Sequence, residues 1–261
     1  MNAVSLDSTG MNVLRLVSPA LAGFLVDIFG YGSVYYVMTG MYIFGTICIM
    51  FMPLTGKLVS GANNVMQDIK EGFLYIKRES TILLLLIFTL FVVVLSMPYM
   101  TLLPVFAEDV LDVGPSGMGI LVSVSGVGAM ITSLILASLP NKKRGVMLLT
   151  SGLLLGLALT VFSFSKNWSL SLIIIVFVGM GQAGRMALGN TLVQYYVDPS
   201  FRGRVMSIYV MEFGLTSFGG AGAGLLTDAF GPTVGLGGFS IALVVVSILA
   251  FIFLRRLRQL D

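Results

Sequence analysis

Histidine is absent from the 261 residues, and with it the commonest metal ligand and near-neutral general base. One cysteine, Cys48, excludes an internal disulfide, and its apolar surroundings mark it as helix packing rather than a reactive thiol. Charge is scarce as well: Asp, Glu, Lys and Arg make up 10% of the chain, where a soluble domain carries about 25%. Hydrophobic residues reach 57% and the mean hydropathy is +0.99, more apolar surface than a soluble core of this length could bury. The chain therefore reads as all-α, a polytopic helical bundle in a membrane. HExxH, GxSxG and paired intramembrane aspartates are all missing, which excludes the familiar intramembrane hydrolases and leaves no enzyme, cofactor or metal site to expect. The run Gly220-Ala221-Gly222-Ala223-Gly224 resembles a dinucleotide loop only briefly, since it lies inside an apolar span with no strand before it. A net charge of +3 needs no nucleic-acid partner, because basic residues at the inner membrane face account for it.

A spanning helix takes about 20 mostly apolar residues, and on that ruler about eight spans are expected. They lie near 11–29, 33–53, 81–107, 116–139, 146–164, 168–196, 205–229 and 233–254. The connections alternate in charge. Lys57, Lys70, Lys77 and Arg78 lie in the long 54–80 connection, and the next one, around Glu108, Asp109 and Asp112, has no basic residue. Lys142, Lys143 and Arg144 follow, then Lys166 alone, then Arg202 and Arg204, then an uncharged turn at Pro232, and last Arg255, Arg256 and Arg258. This places every second loop and the C-terminus in the cytoplasm. Within 54–80, Asn63 and Asn64 can cap a short amphipathic helix through Val65, Met66, Ile69, Phe73 and Ile76, lying at the inner face as a linker between two bundles.

The long-range feature is a repeat. Shifted by about 201 residues, Ala22-Gly23 meets Ala223-Gly224, Asp27 meets Asp228, and Phe29-Gly30 meets Phe230-Gly231. Such spacing is no solenoid period; it implies two halves of one architecture, with part of the first half missing here.

Two spans before a long inner loop and six after it resemble the major facilitator superfamily, whose members carry two six-helix halves. On that map the spans look like helices five to twelve, and the repeat pairs helix five with helix eleven. Residues 1–53 are then the last two helices of the N-terminal bundle, 54–80 the cytoplasmic linker, and 81–261 the C-terminal bundle. Gln67-Asp68-Ile69-Lys70-Glu71-Gly72-Phe73-Leu74-Tyr75-Ile76 is similar to the linker helix of the bacterial exporter branch that includes enterobactin and macrolide efflux proteins. Asn190-Thr191-Leu192-Val193-Gln194, with Asp198-Pro199 and Arg202-Gly203-Arg204-Val205, resembles that branch's connection between helices ten and eleven. Arg15 to Gly23 resembles the Gly-Pro antiporter motif of helix five, with Ser18 in place of the motif's glycine. The resemblance implies alternating-access export of small hydrophobic or siderophore-like molecules, driven by protons, in the bacterial plasma membrane. The alternative is a non-transporting half that assembles with another membrane chain. The partners implied are the lipid bilayer, a small-molecule substrate and protons.

Ionisable residues inside a membrane are costly and usually functional. Glu212 lies about eight residues past Arg204, roughly 12 Å deep, and Arg185 about thirteen residues before Asp198, roughly 20 Å deep. They are read either as a protonatable or substrate-contacting site facing a cavity, or as a neutralised ion pair within the bundle. Arg15, near the inner end of its helix, is the third candidate, for cavity contact or snorkelling. Pro19, Gly23, Gly220 and Gly224 are candidates for gating or close packing. Asp27 and Asp228, at the outer ends of their helices, are expected to share a local cap or turn role. Lys142, Lys143, Arg144, Arg202 and Arg204 mark the inner loops as topology anchors, and in the superfamily a basic motif at Lys142–Arg144 helps latch the inward gate.

Overall fold

The computed structural model describes residues 2–51, 65–139 and 142–261, with the side chains of residues 2–13, 15, 16 and 65–68 outside that set. Twelve α-helices are present among the described residues. These are α1 (Asn2–Phe29), α2 (Tyr31–Met50), α3 (Val65–Arg78), α4 (Ser80–Ser96), α5 (Pro98–Val105) and α6 (Gly114–Ser138). They continue as α7 (Arg144–Phe164), α8 (Trp168–Tyr196), α9 (Arg202–Met211), α10 (Thr216–Phe230), α11 (Pro232–Phe253) and α12 (Arg255–Arg258). Six stretches are long and apolar enough to cross a membrane: α2, Ser80–Val110, α6, α7, α8 and α11. The two other expected spans, 11–29 and 205–229, differ for separate reasons. Only Val17–Phe29 of α1 counts as an apolar run, and the second is broken by a 3₁₀ turn at Glu212–Leu215. The span expected at 81–107 is also broken: Pro98, with no N–H to donate, starts α5, and beyond Pro104 the chain widens into a π-turn over Phe106–Val110.

The core lies between α4, α7, α8 and α11, where Leu85, Val92, Leu148, Leu155, Leu159, Ile175 and Leu243 are fully enclosed. Leu134, Val161, Ile173 and Phe253 point outward instead, as a lipid-facing surface allows.

The basic connections gather at one end of the bundle. There α3 packs on the α8–α9 turn. Tyr75 stacks on Phe201 with ring centroids 4.4 Å apart, and the Asp198 amide donates to the Tyr75 hydroxyl at 3.0 Å. Arg204 pairs with Glu71 at 3.1 Å and lies over the Phe201 ring. The Ser200 hydroxyl and amide hold the exposed Asp198 carboxyl below its ordinary pKa. The linker helix is thus clamped to protein on one face, while Phe73 and Leu74 on the other stay exposed; its expected caps, Asn63 and Asn64, lie outside the described residues. The chain end closes the same region. Lys143, in a left-handed conformation, donates its amide to Asp261 Oδ1 at 2.8 Å, and Gly145 donates to the Leu260 carbonyl at 3.0 Å. Residues 260 and 261 therefore cap the first turn of α7, whose amides have no partners within the helix. Lys142 and Arg202 are exposed.

The repeat is visible in the backbone. Gly30 and Gly231, at φ 76° and 89°, end one helix and immediately begin the next, a conformation that suits glycine. The first copy is seated: α1 crosses α6 so closely that a Cβ on Gly23 would lie 2.6 Å from the Pro115 carbonyl oxygen, and one on Gly119 would strike the Pro19 carbonyl. Asp27 accepts the Ser116 amide at 3.2 Å, capping the start of α6 across the contact. In the second copy a Cβ on Gly224 would meet nothing within 4 Å, and one on Gly220 only Thr101 Oγ1 at 3.4 Å. Asp228 is exposed and accepts no hydrogen bond among the described residues. Gly23→Ala and Gly224→Ala are therefore expected to act with opposite sign in thermal unfolding of the detergent-solubilised protein. The first should lose about 1–3 kcal/mol through overpacking, and the second should gain up to about 1 kcal/mol from helix propensity.

Candidate functional site

Most hydroxyls within the helices are bonded to their own helix, and a cluster where α4, α8 and α9 meet departs from that pattern. On α8 the residues Gln182, Arg185 and Gly189 follow one another at helical spacing, so they share one face. Tyr209, three residues before Glu212, faces them from α9, and Thr89 faces them from α4. Gly189 is the point of closest approach: a Cβ there would lie 3.0 Å from Tyr209 Oη and 3.2 Å from Thr89 Cγ2.

Two of the charged candidates from the sequence, Arg185 and Glu212, are in this cluster, and both are buried. Arg185 is 1% exposed and Glu212 5%. They form no ion pair. Arg185 Nε donates to Gln182 Oε1 at 3.3 Å, and neither terminal guanidinium nitrogen has a hydrogen-bond partner. Glu212 Oε1 is bonded to the Thr89 hydroxyl at 2.9 Å, while its Oε2 has none. The Tyr209 hydroxyl and Ser96 Oγ are likewise buried and unpartnered. Arg185 and Glu212 are thus enclosed in one cluster without touching. A buried polar group without a partner costs about 1–3 kcal/mol, more when charged. Several in one place make this cluster the candidate site.

Glu212 reaches its position through the interruption of the helix. α9 ends at Met211, the 3₁₀ turn begins at Glu212, and the Thr216 hydroxyl bonds back to the Phe213 carbonyl at 2.7 Å. Glu212 also borders an apolar groove of about 560 Å³. Leu83, Leu86, Ile87 and Leu90 of α4 wall it, with Ile208 and Met211 of α9 and Phe73 and Leu74 of α3; Lys70 and Lys77 stand on its α3 side. Glu212 is the only acidic residue on its lining among those described. A second groove of about 480 Å³ lies between α1, α2, α5 and α6, lined by Pro19, Gly23 and Glu108 among others.

The remaining candidates are elsewhere. Pro19, Gly23 and Asp27 form the α1–α6 seam, Gly220, Gly224 and Asp228 lie on α10, and the five basic loop residues lie at the basic end. The Arg15 side chain falls outside the described residues. Sequence reading missed Thr89, Gln182 and Tyr209. Spacing marks two of them, Gln182 three residues before Arg185 and Tyr209 three before Glu212, but nothing local marks Thr89.

The family model for the Major Facilitator Superfamily matches residues 1–215 and 111–260. The Staphyloferrin A transporter of Staphylococcus aureus is 24% identical over 98% of this chain and 64% of its own length. The multidrug efflux pump Tap of Mycolicibacterium fortuitum is 25% identical over 96% of the chain and 62% of its own. Macrolide efflux protein A of Streptococcus pyogenes is 24% identical over 76% and 50%. The chain thus spans less than two thirds of the length of these curated relatives.

The convergence on Gly189 gives a direct test. Gly189→Ala is expected to cost about 1–3 kcal/mol in thermal unfolding as Tyr209 and Thr89 are pushed aside. Adding Tyr209→Phe, which removes the crowding oxygen, should restore part of that loss. Strictly additive effects of the two changes would show that the residues do not meet there.

Proposed function

The chain belongs to the major facilitator superfamily, and we propose that it is part of a membrane transporter and takes part in proton-coupled export of small hydrophobic or siderophore-like molecules from the bacterial cytoplasm. The observation that carries this reading is the buried cluster, in which a carboxyl and a guanidinium are both enclosed yet are not paired with each other. A carboxyl in such a place can take and release a proton as the site opens to either side, and the arginine offers a counter-charge whenever the carboxyl is ionised. Alternation then follows from rocking of the two halves about the site. In this reading the basic end of the bundle, with α3 and the chain end, faces the cytoplasm. The relatives support export in kind: two are named for efflux and one for transport of a siderophore.

The experiment is substrate movement in everted membrane vesicles, with a macrolide and staphyloferrin A as probes and an imposed pH gradient. Glu212→Gln keeps the shape and the oxygen that Thr89 contacts but cannot ionise. Gradient-driven uptake is expected to fall at least tenfold, while exchange of labelled for unlabelled substrate, which needs no net proton movement, persists. If Glu212→Gln leaves gradient-driven uptake intact, proton coupling through this residue is refuted.

A further inference from the structure

The Thr89 hydroxyl has three neighbours within hydrogen-bond distance and one proton to give. Its Oγ1 lies 3.0 Å from the Leu85 carbonyl, 3.1 Å from the Leu86 carbonyl and 2.9 Å from Glu212 Oε1. A hydroxyl can accept while it donates, but it cannot donate to the helix and to the carboxylate at once. Two arrangements therefore fit the same positions. When Glu212 is ionised, Thr89 must give its proton to the carboxylate, and the Leu85 and Leu86 carbonyls lose their side-chain bond. When Glu212 is protonated, the carboxyl can donate to Thr89 Oγ1, and Thr89 turns its own proton back to the helix.

From this we infer that Thr89 is a positioning residue that converts proton occupancy of Glu212 into a change in the hydrogen bonding of α4. The inference rests on the reading of Glu212 as the proton-carrying group. Back-bonding from Ser and Thr to the preceding turn bends helices, and α4 is placed to use that, since it ends at Ser96 and is followed by Pro98, where the main-chain ladder is already broken. No proton is made or lost in the step: one enters at Glu212, and one hydrogen bond changes its acceptor. Gly189 leaves the room for it, its bare Cα standing beside Thr89 and Tyr209. The charged and titratable groups that face the pair are Arg185 from α8, Tyr209 from α9, Tyr99 from α5, and Lys70 and Lys77 across the groove from α3. None of these hydrogen-bonds to Glu212 or Thr89, so the hydroxyl is the direct link between the carboxyl and α4.

Infrared difference spectra of the purified chain in lipid, taken as a function of pH, read the step without requiring transport. The band of the protonated Glu212 carboxyl is assigned by its loss in Glu212→Gln. Thr89→Val keeps the shape and removes the hydroxyl, so the carboxylate loses a donor. Its titration midpoint is expected to move up by about one pH unit, a tenfold change in proton affinity. Amide changes that accompany the titration in the wild type should shrink, and Thr89→Ser should restore both. An unchanged midpoint in Thr89→Val overturns the inference while leaving Glu212 as the proton carrier. So does a Thr89→Ser variant that behaves as Thr89→Val does. Should Glu212→Gln leave the titrating carboxyl band in place, the premise itself is lost, and the inference with it.

Discussion

Hydrocarbon supplies no water, so each polar atom within the bundle must find a partner in protein or carry the cost of having none. The helices obey this rule almost throughout. Thr39, Thr46, Ser133, Ser138, Thr160, Thr227 and Ser240 all turn their hydroxyls back to a carbonyl one turn earlier. Against that background the few buried atoms with no partner stand out, and those of Arg185, Tyr209 and Glu212 lie together. The breaks in helical structure are few, and two of them sit at buried residues, Pro98 and Glu212, where freed backbone groups have other atoms to meet.

Close helix contact is the second requirement of a bundle without a hydrophobic drive between its helices. The α1–α6 crossing meets it by removing side chains at Gly23 and Gly119 and by sharing a hydrogen bond from Ser116 to Asp27. At the basic end the means differ: an aromatic stack, a half-exposed ion pair and caps supplied from outside the helix. The Arg204–Glu71 pair lies in reach of solvent, where such pairs are worth about 0–1 kcal/mol. The stacked Tyr75 and Phe201 and the burial of Ile76 therefore hold α3 more firmly than the charges do.

Much of the fold was legible because apolar length is a coarse signal that short-range detail does not disturb. The turns at Gly30 and Gly231, the short amphipathic helix α3 and the starts of α2, α4, α6, α7, α8 and α11 to within about two residues could be read from composition. Interruptions could not. Pro98 and Pro104 were visible as letters, but that one starts a new helix and the other precedes a π-turn depends on what packs beside them. The break at Glu212 carries no proline at all. The site was half legible for a related reason. A charge within an apolar run announces itself, as Arg185 and Glu212 do, whereas Thr89 is one hydroxyl among many. Its importance comes from a partner 123 residues away in sequence. The expected pairing of Arg185 with Glu212 put the right residues together; that they stop short of contact depends on side-chain geometry that no spacing encodes.

The repeat finally sets the cluster against a symmetric frame. On the offset that aligns Gly23 with Gly224, Glu212 falls opposite Met11, Tyr209 opposite Ser8 and Thr216 opposite Arg15. The first copy is one unbroken helix from Asn2 to Phe29, while the second breaks at Glu212–Leu215. The outer ends of the two copies keep the same small residues, the same aspartate and the same glycine hinge, so the frame is common to both. The carboxyl and the break in the helix occur together, and only in the second copy. A twofold frame of identical helices would treat both sides of the bundle alike. One interrupted helix bearing one ionisable group makes the two copies unequal.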